Sequence, residues 1–110
     1  MSMGNYPIPN ADFPLSIRKR ISRLNLAVRL PSLRCIDGLS LIVKSAPNNL
    51  PNTIISLAHS EEAAVNPDNS YPLAINESYP LFIKDAKECW VSSNIVPAFV
   101  IVSAEQRREG

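Results

Sequence analysis

Glycine is scarce in this chain, three residues in 110, beside ten prolines. Three glycines cannot build the loop of backbone N–H groups that cradles a phosphate, which excludes the common nucleotide-binding fingerprints. Histidine is scarcer still. His59 stands alone, with no Cys-x-x-Cys or His-x-x-x-His spacing anywhere, so neither a metal nor a cofactor is expected. The two cysteines, Cys35 and Cys89, lie far apart and are expected as reduced thiols acting as small hydrophobes, a disulfide being the lesser alternative. Apolar runs are short: "AFVIV" (98–102) falls far below the ~20 residues that cross a bilayer, so no membrane association is expected. The opening "MSMGNYPIPNADFPLS" has neither an apolar h-region nor a basic start, so no signal peptide is expected, and synthesis is assigned to a cytosol.

What is present points to a compact β protein. Apolar residues make up 45% of the chain, enough for a real core, and the length suits one domain. Abundant proline with little glycine fits short extended segments joined by fixed corners better than helices, because proline removes a backbone donor. The net charge of +1 hides an asymmetry: residues 1–44 carry a balance of +5 and residues 45–110 a balance of −4. Opposite signs in the two halves favour head-to-tail contact between copies, or an arm docked on an acidic neighbour; a solvated basic face is the plain alternative.

Along the chain, Pro7, Pro9 and Pro14 oppose helix and central strand, so residues 1–22 read as an extended, proline-rich, basic arm. Tyr6, Ile8 and Phe13 give that arm apolar anchors, and Arg18, Lys19, Arg20 and Arg23 give it charge. "SIRKRISRLNLAVRLP" carries two periodicities. Ile17, Ile21, Leu24 and Val28 follow helical spacing, whereas Leu24, Leu26, Val28 and Leu30 alternate, which predicts a strand from about 23 to 30. A single helical turn ahead of it stays open. "IDGLSLIVKSA", "TIISLAH", "YPLFIKD", "ECWVSS" and "PAFVIVSAE" follow at short intervals, separated by turn clusters such as "NNLPN" and "NPDNS". "LAHSEEAAV" favours at most a turn or two of helix. The expected fold is all-β, a single small antiparallel β-sandwich of about seven strands over 23–104, ending in a charged tail at 105–110.

"SYPLAINESYPL" (70–81) repeats Ser-Tyr-Pro-Leu around "AINE". Asn76 tolerates the left-handed conformation of a tight turn, and proline in a strand requires an edge or an end. The repeat therefore reads as a hairpin-like corner. Chemistry finds little support. His59 has Ser56, Ser60, Glu61 and Glu62 near it in sequence, but nothing indicates the convergence a triad needs, and the adjacent glutamates diverge on any regular element. No enzyme is expected. "RKR" at 18–20 lacks neighbouring aromatics to stack bases, so no direct contact with nucleic acid is expected. Asn76-Glu77-Ser78 matches a glycosylation acceptor, which matters only on secretion.

From Gly38 to Val102, about 60% of the chain, a resemblance can be read. "GLSLIVKSAPNNLPNTIISLAH" resembles a pattern G-apolar-x-apolar-x-apolar-K-A-x-x-x-N-T followed by a β-branched strand. "YPLAINESYPLFIKDAKECWVSS" is similar to PL-x-x-G-E-S, a strand, and an aromatic-containing V-S-S strand, with "AFVIVSAE" closing the set. The shared positions are Asn52-Thr53, Pro72-Leu73, Glu77-Ser78 and Trp90-Val91-Ser92; Asn76 stands where a turn glycine is usual, and Pro51 is extra. The pattern resembles small β-sandwich structural proteins of tailed bacteriophages, including capsid decoration (cement) proteins. The resemblance implies a virion protein on the capsid surface that bridges major capsid protein subunits, packs with copies of itself around a threefold axis, and catalyses nothing. It implies Tyr6, Ile8 and Phe13 filling grooves, with Arg18, Lys19, Arg20 and Arg23 on acidic groups of the shell or of neighbouring copies, and Trp90 in packing. A neck, tail or fibre-associated component, or a free bacterial binding module, are the rival readings.

Overall fold

The computed structural model describes residues 14–35 and 40–105. Eight strands lie within them: β1 (Pro14–Ile21), β2 (Val28–Arg29), β3 (Leu41–Ser45), β4 (Ile54–Ala58), β5 (Tyr71–Ala74), β6 (Ser78–Leu81), β7 (Trp90–Ser93) and β8 (Ala98–Glu105). A four-residue helix, α1 (Glu61–Ala64), and a 3-10 turn (Ala86–Glu88) complete them. The strands form two antiparallel four-stranded sheets, ordered β1-β8-β3-β6 and β2-β7-β4-β5. This is the small β-sandwich that the short alternating segments led us to expect.

Period-two patterning builds the core. In β3, Leu41, Val43 and Ser45 are buried while Ile42 and Lys44 are half-buried, and β4 alternates in the same way around Ile55 and Leu57. Ile21, Val100, Val102 and Ala104 from the first sheet meet Leu73 and Val91 from the second, all at 0–1% exposure, and Leu30 and Leu33 close one end.

The N-terminal boundary differs from the expectation. Residues 14–21, assigned by sequence to the arm, form the longest ladder among the described residues, Pro14 facing Glu105 through to Ile21 facing Ala98. The strand expected at 23–30 is reduced to Val28 and Arg29. Asn25 takes φ 56° and breaks it, leaving Leu24 54% and Leu26 42% exposed. The leucine alternation was misleading because it spans a turn. The true alternation is Ile17, Lys19 and Ile21 on the inner side, opposite Val102, Val100 and Ala98, and a lysine in that row conceals it.

The doubled Ser-Tyr-Pro-Leu is a corner, and more than a hairpin. β5 and β6 do not pair with each other; each is an edge strand of a different sheet. An edge lets a proline turn its donor-less nitrogen away from the ladder, and Pro72 and Pro80 each occupy one. Asn76 takes φ 70° at the bend. The Glu77 carboxylate accepts from the Ala74 N–H (2.8 Å), and Ser45 and the corner exchange two backbone hydrogen bonds, Ser45 N–H to Glu77 and Asn76 N–H to Ser45. The rings of Tyr71 and Tyr79 meet across the corner at 4.4 Å. Gly4, Gly38 and Gly110 all fall outside the described residues, so the three described positive-φ positions, Asn25, Asn52 and Asn76, are all asparagine. A short side chain that tolerates positive φ takes the place glycine has elsewhere.

Candidate docking face

The outer face of the first sheet is where charge and apolar surface coincide. The register places Ser16, Arg18 and Arg20 of β1 beside Ser103, Ile101 and Phe99 of β8, and Ile42 and Lys44 of β3 on the other side of β8. Arg18 and Arg20 are exposed; Lys44, Ile42, Phe99 and Ile101 are half-buried. The Arg18 guanidinium lies over the Phe99 ring at 5.3 Å, a cation–π contact that holds the cation against the sheet. Ser16 and Ser103 hydroxyls share a hydrogen bond of 2.9 Å. Among the described side chains this face carries three cations and no carboxylate. Phe82, 81% exposed, follows directly on the edge strand β6.

Asn49 holds the start of β8 in place. Its Oδ1 accepts from the Phe99 N–H (2.8 Å), and its Nδ2 donates to the Phe99 carbonyl (3.0 Å) and to Ser45 Oγ (3.0 Å). The side-chain amide thus pairs with β8 as another strand residue would, and it is buried.

Of the residues sequence singled out, Tyr6, Ile8 and Phe13 lie outside the described residues. Arg18 and Arg20 do share one face. Lys19 does not join them, because strand alternation turns it to the inner side of β1, half-buried opposite Val100. Arg23 sits exposed in the turn after β1. Sequence reasoning missed Phe99, Ile101, Ile42 and Lys44. The signal was there in "AFVIV", where five consecutive apolar residues must put two on the side away from the core.

The opposite side of the sandwich carries three exposed carboxylates and, on β2, the exposed cation Arg29. α1 packs on the outside of the second sheet over β4 and β7, where the Ser92 hydroxyl donates to the Ala64 carbonyl (2.6 Å). Ser60 caps the helix, its Oγ accepting from the Ala63 N–H (3.1 Å), and Ala63 and Ala64 face inward, leaving Glu61 and Glu62 exposed. Asp68 is exposed in the turn beyond, where Asn66 Oδ1 accepts from its N–H (2.9 Å). An open hollow of about 510 Å³ lies here, lined by His59, Ser60, Glu62, Ala63, Asn66 and Asn69. Trp90 is half-buried on this sheet, paired with Ala58 and Arg29, and the Arg29 guanidinium lies 5.0 Å from the centre of its ring.

Two titratable groups belong to the scaffold. Hydrogen bonding from the Lys87 N–H, assisted by Ser32 and Leu33 against the opposing effect of burial, holds the Asp85 carboxyl below its usual range. Burial pushes the Cys89 thiol up to about 11, so it remains protonated at neutral pH as a hydrophobic core residue.

No family model matches this chain, and comparisons with curated proteins and with solved structures return no match.

Proposed function

We propose that this chain is a non-enzymatic virion structural protein, a decoration protein that stabilises a bacteriophage capsid by bridging major capsid protein subunits. The observation that carries the reading is the outer face of the first sheet, where Arg18, Arg20 and Lys44 surround Phe99, Ile101 and Ile42 with no carboxylate among the described side chains. A half-apolar sheet face whose described charges are all positive suits burial against an acidic protein surface, of the shell or of a neighbouring copy, with apolar contact supplying affinity and charge supplying register. Base stacking is disfavoured, because the one aromatic ring of the face already has a guanidinium over it. The sequence motif contributes to the fold side of the argument: Asn52 (φ 68°), Thr53 (Oγ1 donating to the Leu50 carbonyl, 2.6 Å) and Glu77 are occupied in turns. Many copies, each burying on the order of 1,000 Å², resist outward pressure on a shell by mass action.

The test is the copy number per purified particle, measured by quantitative mass spectrometry against the major capsid protein. Copies in the hundreds are expected. A dozen or so would move the protein to the neck or tail, and none would end the virion reading.

A further inference from the structure

We infer that the occupant of the basic sheet face is the acidic α1 side of a second copy, so that copies associate head to tail. The inference rests on reading that face as a docking surface and names its partner. Three cations (Arg18, Arg20, Lys44) stand on one side of the sandwich; three carboxylates (Glu61, Glu62, Asp68) stand on the other, where Arg29 lies over Trp90, and among the described residues none of the first six has an ion-pair partner in its own chain. Among the described residues, charges of both signs are thus left without ion-pair partners on opposite faces, where one molecule cannot join them. Stacked sheets lie ~10 Å apart before side chains are added. Apolar surface accompanies the charge on both sides, Phe99, Ile101 and Ile42 against Val65, which is 45% exposed.

Like-to-like pairing is disfavoured at both faces, since a two-fold contact would set cation on cation or carboxylate on carboxylate. Among the described residues, the edges at β1, β5 and β6 do not offer a substitute. Pro72 and Pro80 interrupt the donors of β5 and β6, and an antiparallel pairing of β1 with another β1 would crowd Arg18, Lys19 and Arg20 together. A contact between different faces remains, and contacts of that kind close into rings or run on as filaments.

Size sets the strength. Four strands ~4.8 Å apart and up to eight residues long give a face of roughly 400 Å², about half the ~800 Å² per partner of a standard stable interface. Association of the isolated protein is therefore weak and salt-sensitive, and it becomes effective where copies are already held side by side.

Sedimentation velocity of the full chain up to ~1 mM protein, at low salt and again at ~0.5 M salt, tests this. Concentration-dependent association is expected at low salt and its loss at high salt. Arg18→Glu with Arg20→Glu should weaken association about tenfold, as should Glu61→Arg with Glu62→Arg, and an equimolar mixture of the two variants should associate again. Glu61→Gln with Glu62→Gln, which removes charge and keeps shape, guards against misfolding of the reversed helix. A carbodiimide should join Lys44 to Glu61 or Glu62 between differently isotope-labelled copies, and Lys44→Arg should abolish that product. Wild-type protein that stays monomeric throughout, or a variant mixture that does not recover, overturns the inference. Binding to capsid particles is assayed separately by co-sedimentation, so a monomer that still binds particles would sink the self-contact and leave the decoration reading standing.

Discussion

Three donors converge on the Asp85 carboxylate: the N–H groups of Leu33 (2.9 Å) and Lys87 (3.0 Å) on one oxygen, and the Ser32 hydroxyl (2.8 Å) on the other. The carboxylate caps the 3-10 turn and pins residues 32–35 to it, where Ala86 N–H donates to the Leu33 carbonyl and Cys35 N–H to the Lys84 carbonyl. All three donors favour the ionised form, so the folded-state pKa lies below its ordinary value of 3.8. The group therefore contributes stability that is complete only above about pH 5 and is lost progressively as pH falls through the folded pKa. Asp85→Asn keeps a capping oxygen and loses the charge. Its melting temperature should fall below wild type at pH 7, and the gap should close as pH drops below about 4; a gap independent of pH would mean the charge contributes nothing. Sequence does not disclose such a hub, because Ser32 and Asp85 are 53 residues apart. Asn76 was legible, since its bend lies between two recognisable strands. Asn52 lies in "NNLPN", where the loop was legible, whereas Asn25 was not, because leucine alternation obscured the turn around it.

At the scale of elements, β1 explains why the N-terminal boundary was misread. A strand normally announces itself by an apolar inner row, and here that row is Ile17, Lys19, Ile21. An inward-turned lysine on an edge strand is a recognised way of keeping another chain from adding to the sheet. β1 is such an edge and, at eight residues, is long enough to invite addition. Lys19→Val should complete the inner row beside Val100 and hold or raise the melting temperature, while increasing aggregation. Monomer recovery by size-exclusion chromatography after prolonged incubation would measure it. A variant as soluble as wild type would show that Lys19 does not guard the edge. β3 and β4 were readable for the converse reason: their alternation is unbroken and both lie inside their sheets.

For the whole molecule, topology converts a charge asymmetry along the sequence into one across the sandwich. β1 and β3 both come from the basic half of the chain and flank β8 in one sheet, while α1 comes from the acidic half and lies over the other. The asymmetry was visible in the sequence; its arrangement into faces was not, because it depends on β8 entering between β1 and β3. The same closure decides where the arm begins. Removing residues 1–13 should leave the sandwich folded and soluble, with the basic face intact. Removing residues 1–21 deletes the eight-residue ladder with β8, takes away Ile21, which is fully buried, and bares the Val100–Val102 edge. One such side chain is worth about 2–3 kcal/mol of burial, and the lost ladder adds to it, against a typical total margin of about 5–15 kcal/mol. The longer deletion should therefore be largely unfolded or aggregated by circular dichroism and sedimentation at 25 °C, while the shorter one melts cooperatively. If both behaved alike and remained folded, β1 would be dispensable and the arm would extend to residue 22 as its composition suggests. If the shorter deletion folds but loses particle binding, Tyr6, Ile8 and Phe13 belong to the docking surface together with Arg18 and Arg20.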